Sequence, residues 1–422
     1  VVPRIRRPSR TIAVPVAQTD FPLYTIRALG DRHFLVAGGG GQAKTGISNC
    51  LEVYEIKRIE DSLVAIRVLR HETGSRAVMC TAVSQEGKNF LLAAGMEGLC
   101  QLYMLRHKLV APKDVREVPA MDNNVRKRKG KHTQSQEYKS ASKQVTFDVD
   151  TLDSIKTDFD KEYPFQKVVQ MNRPGTMLAT GGADGHLRVW KYPSLQKAHE
   201  IKAHTNEIDD LDINPKGTRI VTVSRDGHAY LWNAKDGKQV CELNWTKKTL
   251  VNYRIRGCRF GIVIDKKDEV MLYTLHIPSK REKVPLPCYI TKWEMVCNTV
   301  RRTVTSGTDE LSACAISDEG VYLGVGTISG SVSVYISFSL QRLYHVAQAH
   351  SIFVTGMEFI ASSETARAIT GDKDFTLMSI SVDNQVKIHQ PEARSMISVL
   401  WALAGFIIIV YLLFWALTAL GL

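Results

Sequence analysis

The chain has 422 residues, 44% hydrophobic and 23% charged, enough for two or three ordinary domains or one large repeat array, which excludes wholesale disorder. Its 55 Lys and Arg against 43 Asp and Glu give a formal charge of +12, but +10 of this falls in two short segments, so the excess does not describe the folded body. The eight cysteines form no C-x-x-C pair and no His stands at zinc-ligand spacing from two of them, which favours reduced, mostly buried thiols over a disulfide framework or a zinc site.

Residues 1–20 carry Arg4, Arg6, Arg7 and Arg10 against Asp20 and contain no apolar run of signal-peptide length, so they read as a basic N-terminal tail on a cytosolic body. From 21 to 390, short β-rich runs alternate with two-residue turns, the pattern of an all-β array. The clearest units are Asp184-Gly185 followed by Trp190, and Asp226-Gly227 followed by Trp232; the Asp pair and the Trp pair are both 42 residues apart. That is the period of a WD-type propeller blade. Gly after Asp suits a tight hairpin because it takes positive φ, and the residues that follow are expected to form the outer strand. Weaker copies keep the offset: Ser48-Asn49 with Tyr54, Glu97-Gly98 with Tyr103, Ser329-Gly330 with Tyr335, and Asp383-Asn384 with His389. The stretch 240–293 leaves room for one degenerate blade. The expected fold is all-β, a seven-bladed WD-repeat propeller over 21–390. His204, which precedes Asp226 by 22 residues, and His350 in the last repeat are expected to join structural His-to-Asp hydrogen bonds.

Two interruptions break the repeat. In the first blade, Ala37-Gly38-Gly39 runs on through GGQAKTGI before Ser48-Asn49, placing eight extra residues in a hairpin turn. Gly38-x-x-x-x-Ala43-Lys44-Thr45 approaches a phosphate-binding loop, but Ala43 replaces its glycine and the chain continues into a strand. Without a helix N-terminus the phosphate loses its dipole and amide cradle. Binding a cation through backbone carbonyls, or a partner through Ile47 beside the glycine hinge, fits the residues better. The second interruption, 108–143, contains RKRKGK at 126–131 and reads as a solvated basic insertion between the second and third blades. A nuclear-targeting or nucleic-acid patch is its alternative, weakened by the lack of interleaved aromatics. No G-x-S-x-G, H-E-x-x-H or paired carboxylates point to covalent chemistry.

Beyond Arg394 the chain carries no charge for 28 residues, and a span needs about 20. A juxtamembrane linker at 391–396 and a single C-terminal transmembrane helix at 397–420 are expected, with Trp401, Tyr411 and Trp415 as amphipathic aromatics. Lys387 and Arg394 on its N-terminal side place the propeller in the cytosol. The default membrane is the endoplasmic reticulum, with the outer mitochondrial membrane as the other choice.

PLY (22–24), AGGGGQAKTGI (37–47), LATGGADGHLRVWKYPSL (178–195), KAHTNEIDDL (202–211), YRIRGCRFG (253–261), PCYITKW (287–293) and LGVGTISGSVSVYISFSLQRLYHVAQAH (323–350) occur in that order before the apolar end. Together they resemble the prolactin regulatory element-binding family, the animal branch of the endoplasmic-reticulum exchange factors that activate the small GTPase of the COPII coat. The resemblance covers 21–422. It implies a loop from Gly38 to Asn49 that is ordered by a structural potassium ion and forms much of the GTPase-binding surface. Gly38, Gly39, Gly40, Gly41, Lys44, Thr45, Gly46 and Ile47 would then make the exchange loop, with Ile47 filling an apolar pocket and Lys44 and Thr45 holding register. Potassium would be held mainly by backbone carbonyls, with Gly40, Gly41 and Asn49 as the candidates. The implied activity is GDP release and GTP loading without covalent chemistry, at the start of ER-to-Golgi vesicle formation. Two other readings stand beside it: a DNA-binding transcriptional regulator in the nucleus, and a catalytically silent, membrane-tethered WD scaffold. The anchor and the near-neutral propeller count against the first, and the glycine loop against the second.

Overall fold

The computed structural model describes residues 13–43, 46–60, 62–110, 144–263, 266–391 and 399–419. Lys44, Thr45 and the RKRKGK cluster therefore lie outside the described residues. Seven four-stranded antiparallel sheets form, and neighbouring sheets touch through their first strands, closing a seven-bladed propeller. Blades 1 to 6 occupy 23–72, 80–156, 166–202, 208–242, 253–307 and 311–346, each with its four strands in chain order from the centre outward. Blade 7 takes three strands from 354–389 and its outermost from Val14–Gln18, which pairs Val14 with Ile388 and Gln18 with Gln385. The end of the supposed tail is thus structural: one strand from each end of the propeller sequence closes the ring. Five residues with a proline among them, following an arginine-rich stretch, carried too short a period to reveal this.

The blades stand because their faces are apolar on both sides. The second strands of blades 1 and 2, His33–Gly38 and Asn89–Met96, are buried almost throughout. Phe21, Leu23, Phe34 and Tyr54 pack with Met378 and Ile380 between blades 7 and 1, while Leu35, Ala37 and Leu51 pack with Leu92 and Tyr103 between blades 1 and 2. Strands buried on both faces read as continuous apolar runs, and the outermost strands are the most exposed. All eight cysteines are free thiols.

Three sequence expectations are corrected. The residues after each Asp-Gly form the third strand, with a fourth outside it. The degenerate blade lies at 253–307, because Gln239–Glu242 is still the outer strand of blade 4. Its Trp293 donates through Nε1 to Thr274 Oγ1 at 2.8 Å, as Trp190 does to Thr180 at 3.1 Å and Trp232 to Thr222 at 2.9 Å. The basic insertion does not divide two blades: it joins the third and fourth strands of blade 2, leaving at Val110 and returning at Gln144, which pair with each other.

The histidine expectation holds. His204 Nδ1 lies 3.1 Å from Asp226 Oδ2, and its Nε2 is 2.8 Å from Thr222 Oγ1, the same hydroxyl that accepts from Trp232. In blade 7, His350 pairs likewise with Asp383 at 3.0 Å and Ser379 at 2.7 Å, and His389 takes the tryptophan's place, 2.7 Å from the Ser379 hydroxyl.

After the propeller, the helix Val399–Ala419 has no acidic residue in its first turn and no basic residue in its last. Its large apolar side chains, among them Leu403, Phe406, Leu412, Phe414 and Trp415, are exposed. Among the described residues no helix is long and apolar enough to cross a membrane, and the described side chains of this one begin at Leu403.

Candidate functional site

In an antiparallel blade the chain reverses at every turn, so the hairpins between second and third strands share one face with the links between blades. Blade 2 makes its hairpin with Glu97-Gly98 alone, whereas blade 1 spends residues 39–49 between His33–Gly38 and Cys50–Ile59. A strand, not a helix, follows this connection, so the phosphate-loop reading fails for the reason the sequence suggested.

The base of the connection is built on glycines for steric reasons. A Cβ at Gly38 would strike the Pro22 carbonyl, and one at Gly39, where φ is 141°, would strike Asn49. The Gly39 amide donates to Pro22 O at 3.1 Å. Gly41 and Gly46 turn with φ of 72° and 77°, conformations that only glycine adopts without strain.

Asn49 organises what lies between. It is buried, its Oδ1 accepts from the Gly41 amide at 2.8 Å, and its Nδ2 donates to the carbonyls of Gly41 at 3.2 Å and Gly74 at 3.0 Å. Its own carbonyl accepts from the Thr73 amide at 2.9 Å. Thus one carboxamide ties the glycine turn to the link between blades 1 and 2. Farther out, Gln42 donates to Glu97 Oε2 at 2.8 Å, and Arg76 pairs with the same oxygen at 3.1 Å. Ile47 is 41% exposed on the descending limb.

Of the residues expected to make the site, Gly38, Gly39, Gly41 and Asn49 come together at the base, with Gly40 half buried among them. Gly46 and Ile47 lie on the outer limb, and Lys44 and Thr45 are not among the described residues. Gly74, Arg76 and Glu97 join from outside the loop. The repeat marked Glu97 only as a turn residue and did not mark Gly74 or Arg76, since the three join the loop only when blade 2 stacks on blade 1.

As a cation site, the neutral carbonyls of Gly41 and Gly74 converge on the Asn49 Nδ2, which donates to both, while the third neutral oxygen, Asn49 Oδ1, is turned to the Gly41 amide. Such a set suits a hard, weakly charged cation and offers no soft ligand. Among the described residues no group of three or more His, Cys, Asp or Glu is placed to hold a metal ion. By chemistry these neutral oxygens suit potassium better than a transition metal, while in this arrangement the Asn49 carboxamide, hydrogen-bonded to both carbonyls, holds the space between them. The same loop has no carboxylate of its own, and Glu97, which approaches it, is held by Arg76.

The model of the WD domain, G-beta repeat, matches residues 167–191 and 195–233, the two blades with the clearest turns. Guanine nucleotide-exchange factor SEC12 of Mus musculus is 38% identical over 417 residues, covering 96% of this chain and 97% of that protein. The Rattus norvegicus protein of the same name has the same identity and coverage. SEC12-like protein 2 of Arabidopsis thaliana is 24% identical over 230 residues, 54% of this chain and 52% of its own. Among solved structures, the WD40 β-propeller domain of Doa1 aligns with a TM-score of 0.55 at 12% identity, over 91% of this chain and 97% of that one, a likeness of fold alone.

Proposed function

The chain belongs to the family of SEC12 guanine nucleotide-exchange factors, and from that premise we propose that it acts on the small GTPase of the COPII coat at the endoplasmic reticulum, gripping it with the loop 39–49. The observation that carries the site is the contrast between two hairpins at one place in the fold: a dipeptide in blade 2, and an eleven-residue connection organised by Asn49 in blade 1. A propeller needs no such elaboration to close its sheet. A glycine-rich excursion on a rigid scaffold, with an exposed isoleucine on its descending limb, is suited to pressing on another protein.

Exchange requires no bond to protein. An exchange factor binds the nucleotide-free partner more tightly than the nucleotide-bound one, and that difference lowers the cost of losing GDP. In this reading Ile47 enters an apolar pocket beside the partner's nucleotide site, Gly46 gives its limb the needed turn, and Lys44 and Thr45 keep the limb in register. Asn49 fixes the base so that little loop entropy is lost on binding.

A potassium ion is proposed within the loop, held mainly by backbone carbonyls with Gly40, Gly41 and Asn49 as the donors, the Asn49 carboxamide turning its oxygen toward the ion in place of the hydrogen bonds its Nδ2 makes to Gly41 and Gly74. When bound it would supply positive charge that draws these oxygens together. The membrane attachment is likewise a proposal, a single C-terminal span at 397–420 with the propeller in the cytosol. It is supported by the uncharged 28-residue end and by exposed apolar side chains that call for a lipid covering. Release of a fluorescent GDP analogue from the COPII GTPase, measured with the full chain in detergent, tests these readings together. Acceleration in potassium that weakens in sodium is expected. Release no faster than spontaneous would refute the choice of GTPase, and equal acceleration in both salts would refute the potassium.

A further inference from the structure

A partner held without its nucleotide needs a stable interface, and such interfaces use about 800 Å² and 20 to 30 residues on each side. A single connection of eleven residues is too small, so the footprint continues onto neighbouring elements of the same face. The contacts of the loop give the direction. Gln42 reaches the blade 2 hairpin at Glu97, and that hairpin carries the segment 157–165: the amides of Thr157 and Asp158 donate to the Gly98 carbonyl at 2.9 and 3.2 Å, and the Gln166 amide to Glu97.

This second segment is rigid although it has no regular structure. Asp160 Oδ1 accepts from the amides of Glu162 and Tyr163 at 3.0 and 2.8 Å, Asp158 accepts from the amide of Asp160 at 3.0 Å, and Asp184 from that of Phe159 at 3.0 Å. On it stand two aromatics in solvent, Phe159 at 47% and Tyr163 at 79% exposure. The Phe159 ring is held 4.7 Å from the guanidinium of Arg188, which is itself buried and bound to Asp184 and Glu200. Single exposed apolar residues are ordinary. Two large aromatics within five positions, pre-positioned on a pinned loop and continuous with the glycine loop, have the character of interface anchors, which bury much area at small entropic cost.

We propose that Phe159 and Tyr163 form a second anchor for the GTPase, gripping an apolar patch of its surface next to the region engaged by residues 39–49. The proposal rests on the exchange reading and names the extent of its interface. This anchor touches the partner in both nucleotide states, so it contributes to holding and not to the difference between states. Its loss should then raise the half-saturating concentration without lowering the maximal rate.

The test is GDP release by the full chain as a function of GTPase concentration. Phe159→Ala and Tyr163→Ala are each expected to raise the half-saturating concentration about tenfold with the maximal rate within twofold of the parent, and Tyr163→Phe to restore it. Phe338→Ala, at an exposed ring on the opposite face, serves as the control and should change neither. Should Phe159→Ala lower thermal stability, Tyr163→Ser carries the test. An active parent with unchanged Tyr163→Ala and Tyr163→Ser curves overturns the anchor while leaving the function standing. A parent that neither binds nor accelerates the GTPase overturns both.

Discussion

The loop's mechanics turn on Asn49. Replacing it with Ala removes three part-buried hydrogen bonds to the backbone of Gly41 and Gly74, a cost of about 1–3 kcal/mol for each group that stays dry and less for those water can reach. Because these bonds hold a surface excursion, the expected outcome is a loss of exchange at least tenfold, with a small fall in the melting temperature of the propeller. Asn49→Asp separates scaffold from ion site: its oxygens face two carbonyls and repel them unless a cation intervenes. Its exchange should therefore be poor in sodium and recover in potassium, and equal activity in both would argue against the ion. Ile47, the glycines and Asn49 were legible as a group because eight residues too many stood in a repeat of fixed period. Glu97, Arg76 and Gly74 were not, since single residues of ordinary type acquire meaning only from the stacking of blades. Phe159 and Tyr163 were hidden for the same reason, as a strand-to-strand link has no period to violate.

Single elements owe their stability to buried polar groups arranged alike in several blades. His204→Ala would leave Asp226 and Thr222 without their imidazole partner, and a destabilisation of about 1–3 kcal/mol is expected, read by urea denaturation with exchange by the folded fraction unchanged. Blade 7 adds a pH dependence. Burial pushes His389 from its ordinary 6.5 down to about 3, so it stays neutral in the fold at pH values where the unfolded chain is protonated. Stability from this group is complete above pH 6.5 and is lost as pH falls toward 3, because the unfolded state then binds the extra proton. Between pH 7.5 and pH 5 the loss amounts to about 2 kcal/mol. His389→Phe should be less stable at neutral pH, where Ser379 loses a partner, yet show a smaller decline on acidification. An undiminished decline would assign the acid sensitivity to other groups. The His-to-Asp pair of blade 4 was readable from its 22-residue spacing within the repeat, and His350 from its place in the last repeat, although its partner Asp383 stands 33 residues on. Trp293 closed the stretch allowed for a degenerate blade but could not be set in register with Trp190 and Trp232, because the hairpin before it, 279–287, lacks the Asp-Gly that marks the two clearest units.

At the scale of the whole molecule, a closed ring gives the loop a rigid base, and the strand Val14–Gln18 makes closure depend on residues more than three hundred positions apart. The seven-fold architecture was visible in the sequence through its period and turns. Its closing strand was not, because ring closure is a property of the assembled sheets and leaves no local pattern. The apolar end supplies the second large-scale feature. Deleting residues 397–422 should release the chain from phosphatidylcholine vesicles in a flotation assay while leaving GDP release in solution within twofold, and a deleted chain that still floats would assign membrane attachment to another segment. The central claim, that the first-blade connection is the working part of the exchange factor, can be tested by grafting. Residues 39–49 are replaced by the Glu-Gly dipeptide that blade 2 uses at the same place, and GDP release from the GTPase is followed alongside thermal unfolding. The expected grafted propeller melts within a few degrees of the parent and no longer accelerates GDP release, whereas a grafted chain that still accelerates release at the parent rate would place the working part elsewhere.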